Sequence, residues 1–94
     1  MDTTQIDRAR LEIDRINREL TELLVERMQQ VDEVARWKAA NGQPVFVPAR
    51  EEAIIAKVCA QAGEEFAPEI EAVFRAVFAA SRSREERLMS RKEA

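Results

Sequence analysis

TQIDRARLEIDRINRELTELLVERMQQVDEVARWKAA, residues 4–40, decides the fold. Its apolar residues Ile6, Ala9, Ile13, Ile16, Leu20, Leu23, Leu24, Met28, Val31, Val34 and Ala35 recur at steps of three and four, and neither Gly nor Pro interrupts them. The spacing predicts one helix over Thr4–Ala40, about 55 Å long at about 1.5 Å per residue. A helix of that length needs partners along its whole apolar stripe, and a chain this small can hardly supply them.

Cations interrupt the stripe. The line Leu20, Leu24, Arg27, Val31, Val34, Lys38 advances by fours and threes, so Arg27 and Lys38 occupy positions the pattern reserves for buried side chains. Run backwards, the same line passes Asn17 and Ile13 and reaches Arg10. Each of these cations can snorkel, laying its stem on apolar surface with its charge in water. Three on one line argue for anions that meet them, because an unpaired buried cation is costly. Arg10 lies about 25 Å from Arg27 along one helix, so one small ligand cannot touch both from a single chain. If two copies cross antiparallel near Leu20–Leu24, Arg10 of one falls opposite the interval between Arg27 and Lys38 of the other. Two symmetric cationic pockets are then expected.

The chain has 94 residues, 46% of them hydrophobic and 35% charged, with two Gly and three Pro, which suits a single helical domain over 1–94. With a net charge of −3 and acids interspersed among the cations, no basic patch points to nucleic acid or an anionic membrane. Cys59 is the only cysteine and histidine is absent, which removes disulfides, Cys-His pairs, Ser-His-Asp triads and the commonest metal ligand. Cys59 reads as a small hydrophobe beside Ile55 and Val58. No metal and no cofactor are expected. Without a signal-peptide pattern or a bilayer-length apolar run, the chain reads as cytoplasmic.

Asp2, Thr3 and Thr4 offer N-cap oxygens for the first helix. Asn41-Gly42-Gln43-Pro44 ends it, with Gly42 able to turn left-handed and Pro44 blocking continuation. Val45-Phe46-Val47 reads as a short apolar bridge packed onto the helices. Pro48 suits the first position of a second helix, whose first turn carries Glu51 and Glu52, whose buried face is Ala53, Ile54, Val58 and Cys59, and which Gly63 stops. Arg50 is a cation at the wrong end of a helix dipole, which suggests an anion ligand. A third helix from about Pro68 to about Met89 has Ile70, Val73, Phe74, Val77 and Phe78 inward, and the same stripe continues to Ser81, Glu85 and Leu88. Glu85 can equally be an acid paired with the nearby Arg82, Arg84 or Arg87. The polar tail from Ser90 to Ala94 is expected to fray.

Ile13-Asp14-Arg15-Ile16-Asn17, Leu23-Leu24-Val25-Glu26-Arg27, Val34-Ala35-Arg36-Trp37-Lys38, Pro44-Val45, Pro48-Ala49-Arg50-Glu51-Glu52 and Val73-Phe74 through Ser81-Arg82 together resemble the all-helical class of chorismate mutases, in order and from about Ala9 to about Arg87. The resemblance implies an intertwined homodimer of all-α chains that turns chorismate into prephenate in aromatic amino-acid (Phe/Tyr) biosynthesis, without cofactor or nucleophile. By the same resemblance, Arg27 and the partner's Arg10 clamp the substrate carboxylates, and Lys38 binds a carboxylate and the ether oxygen. Arg50 supports that cluster, Glu51 accepts from the ring hydroxyl, Ser81 lies near a carboxylate, and Val34 lines the site. Two positions depart from the family pattern. Glu85 stands where many relatives place a glutamine, and a carboxyl donates to the ether oxygen only when protonated, so activity is expected to rise as pH falls below neutral. Val47 stands where relatives often carry an aspartate near the ring hydroxyl. It keeps open an isochorismate pyruvate lyase or a mutase of an amino analogue on the same scaffold. Outside enzymes, a non-catalytic helical dimerisation module with snorkelling cations remains.

Overall fold

A computed structural model describes residues 3–93 as three helices: α1, Thr3–Asn41; α2, Pro48–Ala62; and α3, Ala67–Glu93. Among the described residues there is no strand, so the expected all-α class holds. Thr3 and Thr4 lie inside α1 and are not its caps. The remaining candidate cap, Asp2, and the last tail residue, Ala94, lie outside the described residues. The tail expected to fray is instead helical through Glu93, because no Gly or Pro stops α3 after Ser90.

By its contacts the chain divides into two compact units, residues 1–30 and residues 31–94. The first is helix alone. Leu11, Ile13, Ile16, Leu20, Leu23 and Val25 are all exposed there, with Leu11 68% and Leu23 62% open to solvent. Its polar side is held by local pairs, Arg15 with Glu12 at 2.9 Å and with Glu19 at 3.0 Å, which contribute little individually.

The second unit holds the end of α1, then α2 and α3. Gly42 closes α1 with φ +62°, and the Gln43 N–H donates to the Lys38 carbonyl at 2.9 Å, the bond pattern of a Schellman cap. Asn41 Nδ2 adds a side-chain bond to the Trp37 carbonyl in the last turn, at 2.8 Å. Pro48 opens α2 as expected, and Val47 accepts from the Arg50 and Glu51 N–H groups at 3.1 and 3.2 Å. A turn at Gly63–Phe66 sends the chain back, so α2 and α3 form an antiparallel hairpin. Cys59 Sγ reaches the Ala67 carbonyl near the turn, and Arg75 bridges to Glu52 farther along.

The buried apolar residues are few: Ala35 of α1, Ile55 of α2 and Phe78 of α3. Phe74 meets Phe78 edge to face, with ring centroids 6.1 Å apart. The inner face of α2 is turned slightly from expectation, with Ile55 at its centre and Ala53 exposed. Val73 is also outward, at 52% exposure, while Ile70, Phe74 and Val77 are half-buried. In the 45–47 bridge, Val45 is half-buried, but Phe46 and Val47 stay exposed.

Candidate functional site

Among the described residues, two of the five that are buried are polar, Ser81 and Glu85, both on the inward stripe of α3. That stripe is where their spacing from Phe74 and Phe78 puts them, because steps of three and four hold one helix face. The cation facing them is Lys38, on the last turns of α1. Its Nζ lies 2.8 Å from Glu85 Oε1, with the side chains 13% and 7% exposed. Glu85 is therefore paired with Lys38 rather than with a neighbouring arginine.

The same Nζ donates to the Val45 carbonyl at 2.8 Å. An ammonium has three N–H bonds, and of these the Val45 carbonyl takes one. Glu85 Oε1 is fully buried and accepts no well-aligned hydrogen bond despite its closeness to Nζ, so the contact is an ion pair of poor direction. Placing two charges here costs several kcal/mol per ion before their attraction offsets it, and well-packed apolar residues in their place are often as stable or more so. Stability alone is a weak reason for this pair. Its chemical content is a donor and a carboxyl held side by side in a mostly dry setting.

The other expected site residues are placed as follows. Ser81 is buried and donates from Oγ to the Val77 carbonyl at 2.9 Å. Glu51, in the first turn of α2, receives Arg82 Nη1 on both oxygens, at 2.6 and 2.5 Å. Arg50 is exposed beside it. Val34 is outward and 47% exposed, since the inward stripe of this part of α1 runs through Val31, Ala35 and Lys38. Within the first unit, Arg10 is exposed and Arg27 half-buried. Lys38, Glu85 and Ser81 thus share the interior of the second unit, and Glu51 stands at its edge.

Three contacts escaped the sequence reading. Arg82 lays its guanidinium over the Phe46 ring, 4.9 Å from the centroid, while it binds Glu51. Arg84 makes a two-pronged contact with Asp32, at 2.5 and 2.7 Å, and ties α3 to the end of α1. The Arg84 hydrogen bond and charge hold the Asp32 carboxyl below its ordinary range, and the same contact raises the Arg84 guanidinium above its own. The Val45 carbonyl that receives Lys38 belongs to the backbone and has no signature in residue type. A groove of about 200 Å³ is lined by Phe46, Pro48, Glu51, Glu52, Arg75 and Arg82. Among the described residues no cluster of three or more His, Cys, Asp or Glu is placed to hold a metal ion, and no helix is long and apolar enough to cross a membrane.

The interior of the second unit thus presents an ammonium, a carboxyl and a hydroxyl on facing helices. The chain belongs to the chorismate mutase type II family, whose model matches residues 9–86. That match encloses every expected site residue from Arg10 to Glu85. No curated protein and no solved structure matches the chain.

Proposed function

We propose that the chain is a chorismate mutase that rearranges chorismate to prephenate. One observation supports the reading beyond the family: the Lys38 ammonium, hydrogen-bonded to the Val45 carbonyl and ion-paired with Glu85, has N–H bonds left that can meet an ether oxygen. The reaction breaks a C–O bond and forms a C–C bond in one cyclic transition state, so it needs no nucleophile and no obligatory proton transfer. Catalysis consists of holding the folded conformer and stabilising the charge that grows on the ether oxygen. A millionfold acceleration requires about 8 kcal/mol. One well-aimed donor contributes about 2.7–4 kcal/mol, so Lys38 and a second donor together supply most of it.

The remaining roles rest on the family and on sequence register. Two chains pair through their α1 helices, and each site takes Arg10 from the partner subunit. Arg27 and that Arg10 hold the two carboxylates, Arg50 supports the cluster, and Ser81 turns its hydroxyl from Val77 toward a carboxylate. Glu51 keeps Arg82 and accepts the ring hydroxyl with a remaining lone pair. Val34 meets the substrate from α1. The protein then works in the cytoplasm, in the branch leading to phenylalanine and tyrosine.

The test is the loss of chorismate absorbance with purified protein at acidic and neutral pH, beside Lys38→Ala. Rapid loss, faster at acidic pH and abolished in the variant, is expected. No loss at either pH overturns the assignment. The apolar Val47, which caps α2 without a side-chain bond, favours a second reading, in which isochorismate is split. Salicylate and pyruvate appearing from isochorismate, with chorismate untouched, would establish it.

A further inference from the structure

We propose that Arg82 is a positioning residue that sets the Lys38 ammonium by holding the 44–47 segment against α3. The inference rests on the mutase reading for its kinetic consequence and on geometry alone for its structural one.

The segment between Gly42 and α2 has few bonds of its own. Pro44 has no N–H to give, and Val47 spends its carbonyl on the first turn of α2. The Val45 carbonyl between them is the acceptor for Lys38 Nζ, at 2.8 Å. Val45 itself is half-buried, while the next residue, Phe46, points outward and is 53% exposed, so the core does not anchor its ring. The Arg82 guanidinium covers that ring at 4.9 Å and at the same time grips both oxygens of Glu51. One planar cation thus clamps the residue after Val45 and the first turn of α2 to the helix that carries Ser81 and Glu85. A lysine can take the Glu51 contact but lacks the flat guanidinium face that covers the ring. The chain of action runs from Arg82 to Phe46, to the Val45 carbonyl, to Lys38.

The test reads Lys38 without substrate. Wild type, Arg82→Ala, Arg82→Lys, Phe46→Leu and Arg75→Ala are briefly acylated with acetic anhydride, and modification of Lys38 relative to the exposed Lys57 is measured by mass spectrometry. Arg75→Ala is the control. It breaks the pairs with Glu52 and Glu71 on the same two helices without touching residues 44–47. Relative Lys38 labelling is expected to rise about fivefold in Arg82→Ala, the factor a hydrogen bond of ordinary net strength represents. Arg82→Lys and Phe46→Leu should fall between, and Arg75→Ala should match wild type. With chorismate, Arg82→Ala is expected to lower kcat by a similar factor and to change KM less. Lys38 labelling that is unchanged in both Arg82→Ala and Phe46→Leu, or that rises equally in Arg75→Ala, overturns the proposal. If Arg82→Ala does not fold, Phe46→Leu and Arg82→Lys decide it. A wild type that leaves chorismate intact refutes the mutase reading, while the labelling still decides whether Arg82 governs Lys38.

Discussion

Replacing Glu85 by glutamine removes one charge from the buried pair and leaves its shape. At 2.8 Å and an effective dielectric constant of about 20, the attraction between Lys38 and Glu85 is roughly 6 kcal/mol. Against it stands the cost of keeping a carboxylate at 7% exposure, itself several kcal/mol. The amide gives up both, and its carbonyl can still accept from Nζ. The net loss is then what remains of the attraction once the desolvation cost is recovered, about 1–2 kcal/mol. For a domain of this size that lowers Tm by about 5–15 °C, read by circular dichroism at neutral pH and fixed protein concentration. Activity should move the other way at alkaline pH. Only a protonated carboxyl donates to the ether oxygen, whereas an amide donates at every pH, so a donor role for Glu85 makes wild-type kcat fall with rising pH and leaves the variant's flat. The variant's kcat should be flat and should overtake wild type on the alkaline side. A variant profile parallel to that of wild type would remove Glu85 from the chemistry, and an unchanged Tm would refute the energetic account of the pair.

Other perturbations have defined outcomes. Because Arg84 lowers the folded-state pKa of Asp32, that pair stabilises the fold above the ordinary carboxylate range and is lost as pH falls through the lowered value, below about 4. Asp32→Asn should therefore lower Tm at neutral pH and flatten its decline in acid, and an equally steep decline would assign acid sensitivity elsewhere. Gly42→Ala places a side chain at φ +62° with no atom within 4 Å of its Cβ, so the cost is backbone strain alone, about 1 kcal/mol, and urea melts should show it as a lower midpoint with an unchanged slope. Leu23→Lys on the exposed apolar stripe should leave the α2–α3 hairpin formed but halve the mass seen by sedimentation at micromolar concentration. A mass unchanged from wild type would refute pairing through α1.

What the sequence made legible was whatever depends on helical period. Lys38, Ser81 and Glu85 face the interior because steps of three and four keep them on stripes of apolar residues, and no knowledge of neighbours is needed for that. Gly42, Pro48 and Gly63 marked helix ends because each acts on its own backbone. The misplacements were one notch of rotation. Ala53 and Val73 are apolar and sit within a residue of the inner stripe, yet Ile55 and Phe78 fill the space between the helices and leave them outside. The pairing of charges was not legible. Three arginines crowd residues 82–87, and the acids taken by Arg82 and Arg84 are 31 and 52 residues away in the chain. Only the fold selects them. The donor's main support, a backbone carbonyl, has no residue type to betray it.

The uncovered stripe of residues 11–25 has a consequence for how much catalyst a cell obtains from a given amount of chain. If two chains must meet before a site is complete, the number of working sites grows as the square of chain concentration while it lies below the dissociation constant, and only linearly above it. A newly made chain at low copy number would then be almost inert, and doubling its synthesis would quadruple the flux. Under that condition the rate of synthesis alone would set activity more steeply than in proportion.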